Sequence, residues 1–460
     1  MSPRTQQTQA KFLTGSTMRH VVVMTMTGSL GLSFMFLVDF LALFWISKLE
    51  QEELIAAVGF AGTLQFFVIS IAIGMMIAAV ALVSRALGQG RVRRARRIAT
   101  SALIYATGAQ AVIAAAVFAF CEPLLRLSGA EGPVLEAAVS FLQISLPSLP
   151  MIAAGMMTSA VLRALGDAAR SMLVTMSAGL AAVLLDPLLI LYMGWGIEGA
   201  ALAIVLSRAG MVVLGMYWLI HTHNILTRPA WGDMRLYLAP FALIAVPAIA
   251  TQVSTPFGNW VLMRAMAEHG DSAVAGLGVV MRLTILAFGG IFALSGAIGG
   301  IIGQNAGAGY GDRVAQAYKD ALKFCALYTG VTWAVMALCA DYVAAAFGLS
   351  GQGESIVRAF SFYAAGSFVF TGALFVSNAA FNNLGKPIWA TMANWSRDGL
   401  LMAPLAFGLG AVAAGTGVIA AQALANTLVG IGAAWIGWRY VRAGKGIASP
   451  KDQGEKHGRA

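Results

Sequence analysis

The sequence predicts an all-α polytopic membrane protein with 12 transmembrane helices, arranged as two six-helix lobes related by a pseudo-two-fold axis along the membrane normal. Two observations predict this fold class. Of the 460 residues, 59% are hydrophobic and only 11% are charged, which is more apolar surface than a soluble protein of this length could bury. In addition, the first half of the chain recurs in the second half at a constant offset.

Charged residues and Gly/Pro breaks divide the chain into twelve apolar segments. Each has about the 20 residues that a helix needs to cross the apolar part of a bilayer, and several are longer, which indicates tilt or extension beyond the membrane. The segments cover residues 19–47, 54–84, 96–120, 133–161, 170–193, 196–220, 236–265, 273–303, 316–340, 355–382, 387–411 and 415–440.

Basic residues concentrate on one side of this topology. If the N-terminus is cytoplasmic and the segments alternate, 23 Lys and Arg fall in cytoplasmic segments, four outside and three within spans. Because positive charge is retained on the cytoplasmic side, the asymmetry favours an even number of spans with both termini cytoplasmic. We therefore predict a multi-pass protein of the bacterial inner (plasma) membrane and attribute the net charge of +10 to topology, not to nucleic-acid binding.

An offset of 219 residues aligns part of the first half with the second, without a gap, from Ala56 on Ala275 to Gly166 on Gly385. It places Gly88 on Gly307, Gly90 on Gly309 and Arg94 on Arg313, all at corresponding cytoplasmic turns. Repeats of six helices have the same orientation, and a substrate path between two such repeats is usual. The predicted organisation is a cytoplasmic N-terminal segment (1–18), an N-lobe with helices 1–6 (19–221), a cytoplasmic linker (222–234), a C-lobe with helices 7–12 (235–441) and a cytoplasmic tail (442–460).

Short motifs occur along residues 20–440. They are Val38-Asp39, Ala56-Ala-Val-Gly59, Ala86-Leu-Gly-Gln-Gly90, Leu162-Arg-Ala-Leu-Gly-Asp167, Leu185-Asp-Pro-Leu188, Gly196-Ile-Glu-Gly-Ala-Ala201, Val274-Ala-Gly-Leu-Gly278 and Gly307-Ala-Gly309. Together these motifs resemble those of the multidrug and toxic compound extrusion (MATE) transporter family. The resemblance is closest to the DinF-like prokaryotic branch, because the stretch after Pro247 lacks the acidic residue that the other main bacterial branch carries there.

Asp39 is the first candidate for coupling transport to an ion gradient. It lies in the middle of an apolar helix with no basic residue between Arg19 and Lys48. An ionised Asp at membrane depth costs roughly 2.5–3.5 kcal/mol, so Asp39 either faces a wet cavity or holds a proton. The alternative is a structural carboxylate that accepts hydrogen bonds from neighbouring helices. The MATE resemblance implies that Asp39 is the coupling residue of the N-lobe.

Asp186 is the second candidate, and it directly precedes Pro187 in helix 5. A proline removes a backbone donor and can kink the helix, so Asp186 could bind the coupling ion or merely fix the kink. The resemblance implies a cation site shared by Asp39 and Asp186, with an Asn one turn earlier and a Thr in helix 6. Those two positions here are Ala182 and Ile204, which supply no side-chain oxygen and favour H⁺ over Na⁺ as the coupling ion.

Other intramembrane polar residues are candidates for the substrate cavity or for ties between helices. Arg208 and Arg282 are expected to tie helices together or to snorkel towards the cytoplasm. Arg397 and Asp398 form a possible C-lobe charge pair, but adjacent helical residues do not face one another, so each is expected to find its partner on another helix. The predicted cavity residues are Met35, Phe36, Gln65, Asn259, Asn378 and Asn394.

These observations predict a secondary active multidrug efflux antiporter that exports lipophilic or cationic compounds in exchange for H⁺ by rocker-switch alternating access. The alternatives are Na⁺ coupling, or a flippase or exporter of an amphiphilic or lipid-linked anion on the same fold. No nucleophile–base pair, Walker loop or metal cluster is apparent, so we expect no enzymatic activity, no cofactor and no bound metal. The expected partners are small amphiphilic or cationic substrates and membrane lipids, with no nucleic acid and a monomeric chain.

Overall fold

A computed structural model describes residues 10–49 and 51–448, and this part of the chain contains helices and no strand. Short π-helical or 3₁₀ turns interrupt several of the longer segments. The helices are α1 (Thr17–Ser47), α2 (Glu52–Gly88), α3 (Val92–Ala119), α4 (Cys121–Leu127), α5 (Gly132–Ser145), α6 (Leu149–Leu165), α7 (Ala168–Pro187), α8 (Gly196–Tyr217), α9 (Trp231–Ala267), α10 (Asp271–Ala287), α11 (Gly289–Gly307), α12 (Gly311–Ala346), α13 (Gln352–Ala359), α14 (Phe368–Asn383), α15 (Pro387–Trp395) and α16 (Met402–Arg442).

Within the described residues, ten helical stretches are long and apolar enough to cross a membrane, and the bent pair α10–α11 makes an eleventh. One of the ten, Pro387–Arg442, has 56 residues. As a straight helix it would measure roughly 84 Å, nearly three times the apolar thickness of a bilayer. It instead breaks at Ala413 and Ala414, where the backbone leaves the helical region. Counted as two spans, this stretch brings the total to the predicted twelve.

The break in α16 reverses the chain. Leu409 and Gly417 lie on either side of it, and a Cβ on Gly417 would collide with the Leu409 carbonyl group. The residues before and after the break are therefore in backbone contact, as in a helical hairpin. Ala414 adopts a positive φ of 50°, which is uncommon for a residue with a side chain.

The chain divides into two compact units. The first contains Leu30–Val83 and Arg91–Ala245, and the second contains Ala10–Ser29, Ser84–Gly90 and the chain from Val246 onward. In the first unit an apolar core forms between α2, α5 and α8. In the second unit α14 packs against both α11 and α16. The predicted lobe boundaries stay a prediction.

The end of the predicted N-terminal segment packs against α11 and α12 in the second unit. The Phe12 side chain is buried, and its backbone N–H donates to Gln304 Oε1 at 2.9 Å. The Arg313 guanidinium donates to the carbonyl oxygens of Phe12 at 2.9 Å and Gly15 at 3.1 Å. Thr17, the first residue of α1, donates to Asp320 of α12 at 2.5 Å. These contacts fix the entry into the first span.

Candidate functional site

Helices α1 and α7 approach each other closely in the first unit. Gly31 of α1 lies against Met172 of α7, and a Cβ on Gly179 would stand 2.9 Å from the Phe34 ring and 3.1 Å from Val38. Gly31 and Val38 are two turns apart on α1, as Met172 and Gly179 are on α7. The two helices therefore run side by side in the same direction.

Asp186 lies two further turns along α7, on the face that carries Gly179, because seven residues bring a helix back to nearly the same side. It is only 2% exposed. Pro187 ends the regular helix, and the chain continues as a π-helical turn from Leu188 to Tyr192. The expected disturbance of this helix at its proline is confirmed. A buried carboxylate therefore lies beside an irregular stretch of backbone.

Asp39 belongs to α1, but its side chain lies outside the described part of the structure, so its coupling role stays a prediction. The preceding residue, Val38, is buried against Gly179. Met35 and Phe36 on the same helix are half-buried. Their assignment to a substrate cavity also stays a prediction.

Apolar residues occupy the two positions where the MATE resemblance implies an oxygen-bearing side chain, Ala182 and Ile204. Ala182 lies one turn before Asp186 and is half-buried. Ile204 packs against the apolar core between α2, α5 and α8. Neither side chain can contribute an oxygen ligand to a cation near Asp186.

Arg208 of α8 is a buried cation held by neutral acceptors. Its side chain is 6% exposed, and its guanidinium donates to Ser148 Oγ at 2.7 Å, the Ser145 carbonyl at 3.2 Å and Gln65 Oε1 at 2.6 Å. The Gln65 amide in turn donates to Ser145 Oγ at 3.0 Å. The expectation that Arg208 ties helices together is confirmed, since these groups belong to α2, α5 and the turn after α5. No carboxylate of the described residues pairs with it.

In the second unit, Arg397 and Asp398 pair with each other. The Arg397 Nε donates to Asp398 Oδ1 at 2.7 Å and its Nη2 donates to Oδ2 at 2.9 Å. The possible C-lobe charge pair is therefore present, whereas the expectation that each residue would find its partner on another helix was wrong for the charged groups. Both lie in the π-helical segment Ser396–Leu401, and the long arginine side chain folds back onto the adjacent carboxylate. Ser254 of α9 donates a third hydrogen bond to Asp398, at 2.9 Å.

The three predicted asparagines of the second unit have different surroundings. Asn394 is buried, and its side-chain amide donates to the Ala390 carbonyl oxygen of its own helix at 2.8 Å. Asn259 of α9 is half-buried. Asn378 of α14 is buried, and its Oδ1 has no hydrogen-bond partner among the described residues. The cavity assignments of these residues stay predictions.

Arg282 of α10 is exposed and makes no hydrogen bond or ion pair within the described residues. Three serines complete the two polar clusters and were not among the predicted site residues: Ser145, Ser148 and Ser254. The sequence contains a feature that points to the first two: Ser145 and Ser148 lie on either side of Pro147 within an apolar segment.

Outside the membrane spans, Asp167 contacts two other ionisable residues, Arg170 and His223. It caps α7 through the backbone N–H of Arg170 at 3.2 Å, and its Oδ2 contacts Arg170 at 2.7 Å and His223 at 2.9 Å. Burial raises the pKa of this carboxyl, but the hydrogen bonds from His223 and Arg170 outweigh burial and hold the pKa well below its usual range. Asp167 therefore joins the start of α7 to the segment after α8.

The chain matches one family model, MatE, twice, over residues 28–188 and 247–408. The two matches begin 219 residues apart, which is the offset of the internal repeat. This agreement confirms the duplication that the sequence predicts.

Individual relatives match most of the chain. A Shewanella oneidensis protein named FAD transporter is 30% identical over 409 residues, covering 86% of this chain and 89% of the relative. The multidrug export protein MepA of Staphylococcus aureus is 22% identical over 409 residues, covering 85% and 87%. Among solved structures, an outward-facing multidrug resistance MATE family transporter of the MOP superfamily superposes with a TM-score of 0.88 at 22% identity, covering 97% of this chain and 99% of that one.

Proposed function

The chain belongs to the MatE family of membrane transporters, and on that premise we propose that it is a secondary active multidrug efflux antiporter, which exports lipophilic or cationic compounds in exchange for H⁺ by rocker-switch alternating access. The supporting observation is the buried Asp186 on α7, a helix packed through Gly179 against the α1 helix that carries Asp39. We place the protein in the bacterial inner membrane with both termini cytoplasmic.

The proposed coupling follows from the charge of a carboxyl group at membrane depth. Removal from water favours the protonated form, whereas a nearby cationic substrate favours the ionised form. Proton and substrate would therefore compete for the same acid. Ala182 and Ile204 leave Asp186 without two oxygen ligands that the family resemblance implies for a Na⁺ site, which supports H⁺ as the coupling ion.

Flux measurements in proteoliposomes test this proposal. We expect ethidium transport to be driven by an imposed pH gradient and not by an imposed Na⁺ gradient. Asp39→Asn and Asp186→Asn should each reduce the pH-driven rate at least tenfold, because an amide cannot release a proton. Asp271→Asn is the matched control, since Asp271 is an exposed acid at the start of α10. Proton coupling is refuted if both Asn variants transport ethidium as fast as the control.

A second candidate function is export of an amphiphilic anion such as FAD. Two observations favour it: the relative named FAD transporter, and Arg208, whose positive charge meets only neutral acceptors among the described residues. An anionic substrate group near Arg208 would gain the charge-assisted hydrogen bonds that a buried guanidinium can offer.

The same proteoliposomes distinguish the two candidates. Flavin fluorescence would report FAD flux, and Arg208→Lys and Arg208→Gln would be compared with wild type. If FAD is the substrate, Arg208→Gln should abolish its transport and Arg208→Lys should retain part of it. Ethidium transport without any FAD transport would leave the cationic substrate class as the function.

A further inference from the structure

Two tryptophans and two arginines form one stripe at the end of α16. Trp435, Trp438, Arg439 and Arg442 follow the spacing i, i+3, i+4 and i+7, which places them on one helix face. The guanidinium carbon of Arg439 lies 4.5 Å from the centre of the Trp435 ring, and that of Arg442 lies 5.8 Å from Trp438. Each arginine is therefore held over the indole one turn before it, at a distance where cation–π attraction operates.

Helix α12 contributes a third cation to the same place. The Lys319 ammonium lies 4.9 Å from the centre of the Trp438 ring, so Lys319 and Arg442 share this indole. The ring of Tyr318, the residue before Lys319, stacks on Trp438 at 6.2 Å. Two helices of the second unit thus bring three positive charges to one aromatic surface.

These three cations, Lys319, Arg439 and Arg442, have no acidic partner among residues 10–49 and 51–448. Asp320 follows Lys319 directly, but it is buried and accepts hydrogen bonds from Thr17 and Gln316. All three cations are exposed at the surface. The surface therefore carries a local excess of positive charge.

The neighbouring surface of α16 is apolar and exposed. Trp435 is 58% exposed, and Leu428, Ile431 and Ile436 are also exposed. Because α16 is part of a membrane-spanning stretch, this surface meets acyl chains, while the arginines at the helix end reach the headgroup region. The positively charged end of α16 complements the negative headgroup of an anionic phospholipid, and the apolar strip complements its acyl chains.

In a second basic cluster, on α3, two of the arginines have partners within the protein. Arg96 donates to Asn224 at 2.8 Å and to the Leu226 carbonyl at 3.1 Å, and Arg97 pairs with Asp233 at 3.4 Å. These two arginines are engaged within the protein. Arg97 therefore provides a matched control, as a surface cation that already has an acidic partner.

We propose that Lys319, Trp435, Trp438, Arg439 and Arg442 bind an anionic phospholipid. The lipid phosphate lies within reach of Lys319 and Arg442, and an acyl chain follows the apolar strip of α16. Basic surfaces between membrane helices are a recurrent way to hold anionic headgroups. The site is independent of what the protein transports.

Brominated lipids test the site on the full-length protein in detergent, because bromine quenches nearby tryptophan fluorescence. We expect brominated phosphatidylglycerol to quench at lower concentration than brominated phosphatidylcholine. The phosphatidylglycerol-selective part of the quenching should disappear in the double variant Trp435→Phe/Trp438→Phe. Lys319→Gln and Arg442→Gln should each raise the half-saturating concentration of phosphatidylglycerol about fivefold, whereas Arg97→Gln should leave it unchanged.

Three results would overturn the proposal. Equal quenching by both lipids would show that no headgroup is selected. If Arg97→Gln had as large an effect as Arg442→Gln, the preference for phosphatidylglycerol would reflect the overall charge of the protein and not this site. Full reversal of quenching by inorganic phosphate at the same concentration as the lipid would identify a free-anion site instead.

Discussion

Gly88 lies directly against the backbone carbonyl of Gln304, where a Cβ would collide with the carbonyl oxygen. The contact is reciprocal, because a Cβ on Gly307 would collide with the carbonyl oxygen of Arg85. The offset of 219 residues maps Gly88 onto Gly307 and Arg85 onto Gln304, so the repeat relation exchanges the two contacts. The ends of α2 and α11 therefore cross backbone to backbone within the second unit, as two copies of one helix end.

The first prediction concerns this crossing. Gly88→Ala and Gly307→Ala should each destabilise the protein strongly, because the obstructing atom is backbone and cannot turn away. The two losses should be similar, since the contacts are equivalent. Thermal unfolding followed by fluorescence-detected size exclusion would measure them, with Tm falls well beyond the few degrees of an average core substitution.

Gly108→Ala is the control for that experiment. Gly108 lies inside α3 with open space around its Cβ position, so alanine should leave Tm unchanged or raise it slightly through helix propensity. If Gly88→Ala unfolds at the same temperature as Gly108→Ala, the close crossing of α2 and α11 is wrong.

The second prediction concerns the ion pair in the π-helix. Arg397→Met and Asp398→Leu should each cost about 3–5 kcal/mol of stability, because either change leaves the other charge buried and unpaired. The double variant should lose much less than the sum, since it removes both charges. Unfolding of all three variants in one detergent would give the coupling energy. Additive losses would mean that the two side chains do not pair.

The third prediction concerns ion selectivity at Asp186. The double variant Ala182→Asn/Ile204→Thr introduces the two oxygen ligands that the family resemblance implies for a cation site with Asp186, and hard cations require oxygen ligands. We expect it to gain ethidium flux under an imposed Na⁺ gradient. The control, Ala182→Leu/Ile204→Val, adds no oxygen and should gain none. An unchanged Na⁺ response in the oxygen-bearing variant, with transport otherwise intact, would count against a cation site at Asp186.

The fourth prediction concerns Asp167 and pH. The pKa of this carboxyl is lower in the folded protein than in the unfolded chain, where it is about 3.9. Its ionised form therefore stabilises the folded protein fully at pH values above the pKa of the unfolded chain. This stabilisation is lost as the pH falls through the pKa of the folded protein. Asp167→Ala should therefore cost about 1–2 kcal/mol at pH 8, including the lost helix cap. The contribution of the carboxyl to the free energy of unfolding should be the same at pH 6 as at pH 8, and it should become smaller only in acidic solution.

Melting temperatures of wild type and Asp167→Ala at pH 8, 6 and 4 would check this sign. Asp341→Ala is a suitable control, since its carboxylate is 70% exposed and its ion pair with Arg358 lies on the surface. A stability loss for Asp167→Ala that grows as the solution becomes more acidic would contradict the assignment.

Much of the fold was predictable because membrane insertion leaves few choices. Long apolar runs must form spanning helices, and the distribution of lysine and arginine restricts the topology. The repeat was visible in Gly88, Gly307 and their neighbours. Each copy of the repeat needs a glycine at the same position, because the α2 and α11 backbones come too close there for a side chain. The stretch 387–442 was also predicted correctly as two segments, 387–411 and 415–440, because the helical backbone breaks between them, at Ala413 and Ala414.

The candidate sites were less predictable, because polar partners come from helices distant in sequence. Arg208 finds Gln65 and Ser145 across 143 and 63 residues, and no local pattern encodes that meeting. The pairing of Arg397 with Asp398 was missed for a different reason. Ideal helix geometry separates adjacent side chains, but a π-helical segment and a long flexible arginine allow them to meet.

Hydrophobicity, charge and repetition along the chain were enough to fix the all-α membrane class and the duplicated organisation, whereas the coupling roles of Asp39 and Asp186 stay predictions. Which polar groups meet became visible once the helices were packed in three dimensions. Three contacts depend on helix rotation and crossing: the packing of α1 against α7 at Gly179, the neutral acceptors around Arg208, and the Trp438 ring that Lys319 and Arg442 share. Those are set by close packing of side chains from remote parts of the chain, which the order of residues does not display.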